Sequence, residues 1–139
     1  MNFYDEYCRI ELMIHLPSYW DVKSNDEKWY WPIRLLKTLG RFPFQNNTWL
    51  GQGHCLEFDY EFFKNTDFFG VILDRELNLR GVYPNIHLED NTQLHFLQVI
   101  PIFKEELNYK QENDADLLLD MLPKINFDYL INPERKSVI

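Results

Sequence analysis

The sequence predicts an α/β (α+β) domain, a β-sheet with helices packed on it. Three observations lead to that class. Residues 7–16, Y-C-R-I-E-L-M-I-H-L, alternate along the chain with the period of a strand that buries one face. Residues 92–100, T-Q-L-H-F-L-Q-V-I, are apolar on both alternating faces, as in an inner strand covered on both sides. Stretches of helical period lie between and after these two segments.

In the first strand Cys8, Ile10, Leu12, Ile14 and Leu16 share one face, and Arg9, Glu11, Met13 and His15 share the other. Pro17 and Ser18 end it. The S-N-D-E run at 24–27 fits a capping box. Pro32 is tolerated in a first helical turn and not in a helix interior. The reading is therefore a short turn as far as Trp31 and a helix over 32–40, with Ile33, Leu35, Leu36 and Leu39 inward and Gly40 as its stop. G-V-I-L-D at 70–74 reads as a short strand. A helix begins after Pro101 with K-E-E-L-N-Y-K-Q. Asn113 can cap a further helix in which Ala115, Leu118, Leu119 and Leu122 fall at i, i+3, i+4 and i+7, with Pro123 after its end. The tail N-P-E-R-K-S-V-I has little periodicity, and there is no internal repeat.

The 139 residues suit a single domain spanning 1–139. A chain of this length buries roughly two-thirds of its unfolded surface, enough to fold without covalent staples. Its 17% aromatic share argues against disorder. Two cysteines, Cys8 and Cys55, cannot build a disulfide framework; both are expected unpaired, in a reducing compartment. No apolar run is long enough to cross a bilayer, and the first residues, M-N-F-Y-D-E-Y, are acidic and unlike a signal peptide. The expected location is cytoplasmic. Twenty-two acidic residues against 14 basic ones give a net charge of −8. That charge opposes nucleic-acid binding and favours a basic partner.

Four groups of residues invite a chemical reading. T-W-L-G-Q-G-H-C at 48–55 has two glycines, but it lacks the third glycine of a dinucleotide fingerprint and the Lys-Ser/Thr of a P-loop. Gly51 and Gly53 are read as letting the chain turn under Trp49. His54 and Cys55 suggest a Cys–His nucleophile, yet neighbours in an extended segment point to opposite faces, and a small buried cysteine is the expectation. The histidines, His15, His54, His87 and His95, form no H-x-x-x-H, and no C-x-x-C exists. Any metal site would have to be assembled across strands, and no metal or cofactor is expected. Carboxylates gather at Glu57/Asp59/Glu61 and at Glu105/Glu106. Both sets are read as solvated acidic faces in preference to acid–base pairs. Alternation in L-E-F-D-Y-E-F places Glu57, Asp59 and Glu61 in one row, with Leu56, Phe58, Tyr60 and Phe62 opposite. That row is the sequence's candidate interaction surface, with Tyr60 and Phe62 as aromatic anchors.

The order of motifs resembles the suppressor-of-fused (SUFU) family in its bacterial form. R-I-E-L-M-I-H-L-P-S-Y-W is followed by W-P-I-R-L-L-K-T-L-G-R-F-P, T-W-L-G-Q-G-H, F-L-Q-V-I-P-I-F-K-E-E-L and D-A-D-L-L-L-D-M-L. The resemblance runs from Cys8 to Ser137 and implies a mixed β-sheet with packed helices and no catalysis. It implies a protein-binding module, as in bacterial members that look like immunity proteins neutralising polymorphic or contact-dependent toxins. A basic toxin domain is then the expected partner. Animal members restrain a transcription factor, so the alternative is a regulatory scaffold for a peptide. An enzyme using His54, Cys55 and the acidic row is the other class. Relatives carry a further segment ahead of the first strand. The chain is thus expected to be N-terminally short, with the strand at 8–16 an open edge that favours a homodimer.

Overall fold

A computed structural model describes residues 9–58, 63, 66–76, 86–87, 93–125 and 128–139. The elements are β1 (Ile10–Met13), α1 (Glu27–Asn46), β2 (Cys55–Glu57), β3 (Gly70–Arg75), β4 (Ile86–His87), β5 (Gln93–Ile102), α2 (Lys104–Glu112) and α3 (Ala115–Met121). The sheet runs β1–β5–β3–β2, with β4 paired to the start of β5. It is mixed: β1 lies parallel to β5, from Ile10↔His95 to Met13↔Gln98, and β3 lies antiparallel to β5, from Gly70↔Ile102 to Arg75↔Leu97. An α+β architecture results, and β5 is its inner strand, as the two apolar faces of residues 92–100 predict.

Period-two alternation sorts the core onto two faces. Val71, Leu73, Leu97 and Val99 pack with Trp31, Leu35 and Leu39 of α1. Ile72, Ile100 and Ile102 point the other way, onto Leu107 of α2 and Leu118, Leu119 and Leu122 of α3. The predicted inward face of the first strand is also found: Ile10, Leu12, Ile14 and Leu16 all pack against the α1-side core. Cys8 lies outside the described residues. Five aromatic residues form one chain of contacts: Trp20–Trp31 at 6.0 Å, Trp31–Phe63 at 5.5 Å, Phe63–Phe68 at 6.1 Å and Phe68–Phe103 at 5.0 Å between ring centroids. Edge-on and offset pairs of this kind add to plain area burial. No helix among the described residues is long and apolar enough to cross a membrane.

The α1 helix departs from expectation at both ends. It has 20 residues, and it holds Pro32 and Pro43 in its interior. Asp26 is the N-cap and accepts from the Lys28 N–H, while Ser24 Oγ accepts from the Asp26 N–H. Pro32 cannot donate to the Lys28 carbonyl, four residues back. One position along, Trp20 Nε1–H donates to the Trp29 carbonyl at 2.7 Å and ties this turn to the loop before it. Burial of Trp31, Leu35 and Leu39 outweighs the prolines' local penalty. Gly40 does not stop the helix. Asn47 does, at φ 49°, and its N–H and that of Thr48 both donate to the Pro43 carbonyl.

β5 likewise runs past its predicted end, through Pro101 to Ile102. Ile102 accepts from the Phe69 N–H on the β3 side, so Pro101 faces the opposite side, where the pairing with β1 has already ended at Gln98. A proline is tolerated in such an unpaired stretch. Its carbonyl there accepts from Arg135 Nη2 at 3.0 Å. Asp114 caps α3 in place of Asn113, whose side chain instead closes α2 on the Tyr109 carbonyl. Ala115, Leu118, Leu119 and Leu122 take the inward positions assigned from spacing.

Candidate binding cleft

The C-terminal half of α1 stands over the edge strand β1. Leu36, Leu39, Gly40 and Pro43 recur at three- and four-residue intervals and so share one side of the helix. With Ile10 and Leu12 of β1 and the Asn47–Thr48–Trp49–Leu50 turn they line a cleft of about 810 Å³. Phe44 stands on its rim and is 91% exposed. Arg9 and Glu11 supply opposite charges at the mouth.

Among the described residues β1 pairs only with β5, and no strand pairs with the side of β1 away from β5. The Arg9 carbonyl accepts from the His95 N–H, so alternation turns the backbone groups of Ile10 and Leu12 away from β5. The cleft beside this edge is lined by both apolar and polar residues, Arg9, Glu11, Asn47 and Thr48 among the latter. The sequence reading expected an edge at this strand and missed the cleft, because it ended α1 at Gly40. The signal was present: Leu36, Leu39 and Pro43 continue the helical period into R-F-P-F.

The T-W-L-G-Q-G-H-C segment is architecture. Gly53 holds φ +83°, donates to the Leu73 carbonyl at 2.7 Å, and has the Ala115 Cβ 3.1 Å from where its own Cβ would be. His54 returns the pairing by accepting from Leu73 N–H at 3.0 Å. Gly51 opens the turn, its carbonyl accepting from the His54 N–H at 3.2 Å, and Gly53 supplies the positive φ, so the turn reading of the two glycines holds. His54 Nδ1 accepts from the Gly51 N–H, and the imidazole lies 4.4 Å from the Trp49 ring. Burial, and secondarily Lys110, pulls the His54 pKa down.

Cys55 points to the other face and packs with the α2–α3 core. Burial pushes its thiol up to about 11, against a smaller opposite effect of Lys110. A neutral thiol across the sheet from its neighbouring imidazole is not an activated nucleophile.

The acidic row is only partly described. Glu57 is exposed on β2, and Leu56 and Phe58 pack on the α1-side core, as alternation requires. Asp59, Tyr60, Glu61 and Phe62 lie outside the described residues. The second carboxylate pair was misread. Glu105 is exposed, but Glu106 is fully buried. It accepts from the N–H groups of Phe103 and Val138 and from both terminal nitrogens of Arg135. Burial raises its pKa, and these donors, Arg135 first, bring it below the usual carboxylate range. The C-terminal arginine that makes this possible had no periodicity to announce it.

Of solved structures, the Sufu-Fu complex crystal structure superposes with a TM-score of 0.62 at 17% identity, covering 78% of this chain and 46% of that one. The crystal structure of Drosophila Suppressor of Fused gives 0.63 at 16% identity, covering 84% of this chain and 28% of that one. Both share the fold, and this chain spans less than half the length of either. No curated protein sequence matches it. The sequence matches the family described as Suppressor of fused protein (SUFU) over residues 1–136, nearly its whole length, and the chain therefore belongs to the suppressor-of-fused family.

Proposed function

We propose that this chain is a non-catalytic protein-binding module, and that it serves a bacterial cell as an immunity protein, neutralising a cognate toxin by occupying it. The observation that carries the binding role is the β1 edge, unpaired on that side among the described residues, beside the Phe44 cleft. Backbone groups there can pair with a strand of the partner while an apolar side chain fills the cleft. Family membership and the partner named in the Sufu-Fu complex support a protein ligand. The neutral Cys55 thiol and its separation from the His54 imidazole weigh against an enzyme.

The charge of −8 supports a basic target, and toxin domains that grip phosphates are basic. The row Glu57, Asp59 and Glu61, with Tyr60 and Phe62 as anchors, is proposed as the surface that steers such a target. Without the partner, the β1 edge is proposed to pair with a second copy of the chain. Co-expression with the toxin encoded beside this chain's gene tests the proposal: growth is restored by the chain and lost without it. A chain that binds no neighbouring gene product removes the immunity reading.

A further inference from the structure

Away from the cleft, three segments distant in sequence bring together one imidazole and two carboxylates. His15 lies two residues past β1, Glu76 one residue past β3, and Asp128 in the C-terminal segment. His15 Nε2 is 2.9 Å from Glu76 Oε2 and 3.6 Å from Asp128 Oδ1. One ligand atom from each lies within 4.8 Å of the others. None of the three takes part in the cleft, the glycine loop or the acidic row.

We propose that His15, Glu76 and Asp128 bind one borderline divalent metal ion of the zinc class, with solvent completing its coordination. Tetrahedral ligands at bond lengths of about 2.0–2.2 Å stand roughly 3.3–3.5 Å apart, and the two separations from His15 lie on either side of that value. One imidazole with two carboxylates is a mixed nitrogen–oxygen set, which suits Zn²⁺, Co²⁺ or Mn²⁺ better than Cu⁺ or Ca²⁺. Two carboxyl groups beside one imidazole in a half-buried place are the donor types that such a cation takes.

The backbones that present the ligands are held independently of any ion. Glu76 N–H donates to the Phe96 carbonyl at 2.9 Å. The His15 carbonyl accepts from the Ile131 N–H at 2.8 Å, and Asp128 exchanges two hydrogen bonds with Ile125. The site is therefore arranged in advance, which lowers the ordering cost of binding. The side chains of His15 and Asp128 are 20% and 31% exposed, so the ion has a route in and room for water. Its consequence would be to clamp the C-terminal segment onto the end of β1.

The competing account is a plain hydrogen-bonded cluster, in which one Nε2–H serves one carboxylate well and the other poorly. Titration of the metal-stripped full chain with ZnCl₂, followed by calorimetry and thermal unfolding, separates the two accounts. One ion per chain should bind, and at a free concentration about 100 times Kd the unfolding midpoint should rise by several degrees. CoCl₂ should give a visible absorption band of nitrogen–oxygen ligation. His15→Gln and Asp128→Asn should each weaken binding at least tenfold while leaving the circular dichroism unchanged; either one suffices if the other does not fold. Absence of saturable binding to the wild type, or equal binding by a folded His15→Gln or Asp128→Asn chain, overturns the site.

Discussion

Arg135 lays its guanidinium against the buried carboxylate of Glu106 as a two-pronged pair, Nη2 to Oε1 at 2.8 Å and Nη1 to Oε2 at 2.9 Å. The same group stands 4.7 Å from the Phe103 ring centroid and bonds the Pro101 carbonyl. One C-terminal side chain thus closes the end of β5, the start of α2 and the aromatic core together.

Removing Arg135 leaves Glu106 charged and buried. Arg135→Met should lower stability by about 3–5 kcal/mol, far more than loss of an exposed ion pair. Urea unfolding measures it; a loss under 1 kcal/mol would mean that the pair is not holding the C-terminal segment.

The pH dependence has a definite sign. Glu106 has a folded pKa below its unfolded one, so its contribution is present above the ordinary carboxylate range and is lost as pH falls through the folded value. The wild type should lose stability on acidification below about pH 4.3. Glu106→Gln should be less stable at pH 7 and show a shallower acid loss. An unchanged acid slope would contradict the assignment.

Three glycines should answer alanine differently. At Gly70 an added Cβ runs into the Leu56 carbonyl of the paired strand, and at Gly53 alanine must hold φ +83°. Gly53→Ala should cost about 1–2 kcal/mol, and Gly70→Ala at least as much. Gly40 sits within α1 with open space around it, so Gly40→Ala should stabilise by about 0.5–1 kcal/mol. Thermal unfolding ranks all three, and a reversed order would place these residues wrongly.

Cys55 should be slow to alkylate. With a pKa of about 11, roughly one molecule in a thousand carries its thiolate at pH 8. In a Cys8→Ser chain the native labelling rate should climb about tenfold per pH unit between 8 and 10. Rapid labelling at pH 7 would reinstate a reactive thiol.

What the sequence revealed followed from periodicity. The two-residue alternation of Ile10, Leu12, Ile14 and Leu16 and the i, i+3, i+4, i+7 set in α3 read correctly because burial acts on repeating positions. Boundaries failed at Pro32, Gly40 and Pro101, where tertiary partners override local preference: Trp20 serves the carbonyl next to the one Pro32 leaves without a donor, and Arg135 serves the free carbonyl of Pro101. Glu106 was misread because its burial depends on an arginine 29 residues later. The cleft was missed for the same reason as the helix end: the helical period of Leu36, Leu39 and Pro43 runs past the stop assigned to Gly40. His15, Glu76 and Asp128 share no spacing that a sequence motif could carry.

The acidic row is tested by charge reversal. Glu57→Lys, Asp59→Lys and Glu61→Lys together should slow association with a basic partner, more at low salt than at high salt. A folded triple variant that associates at the wild-type rate would show that the row takes no part.

The unliganded edge is tested by size. Light scattering at high concentration should give the mass of a dimer that disappears when the partner is added. A monomer throughout would mean that β1 does not pair with itself.

The central claim is that the Phe44 cleft beside β1 receives the protein partner. Phe44 is exposed in the free chain, so Phe44→Glu should leave the fold and its stability nearly unchanged. The direct measurement is calorimetric titration of the protein partner, under the proposed immunity role the product of the neighbouring gene, into the wild type and into the Phe44→Glu variant. An apolar anchor at the centre of an interface contributes on the order of 2 kcal/mol or more, so affinity should fall at least about thirtyfold. Equal affinity for the two chains would contradict the account.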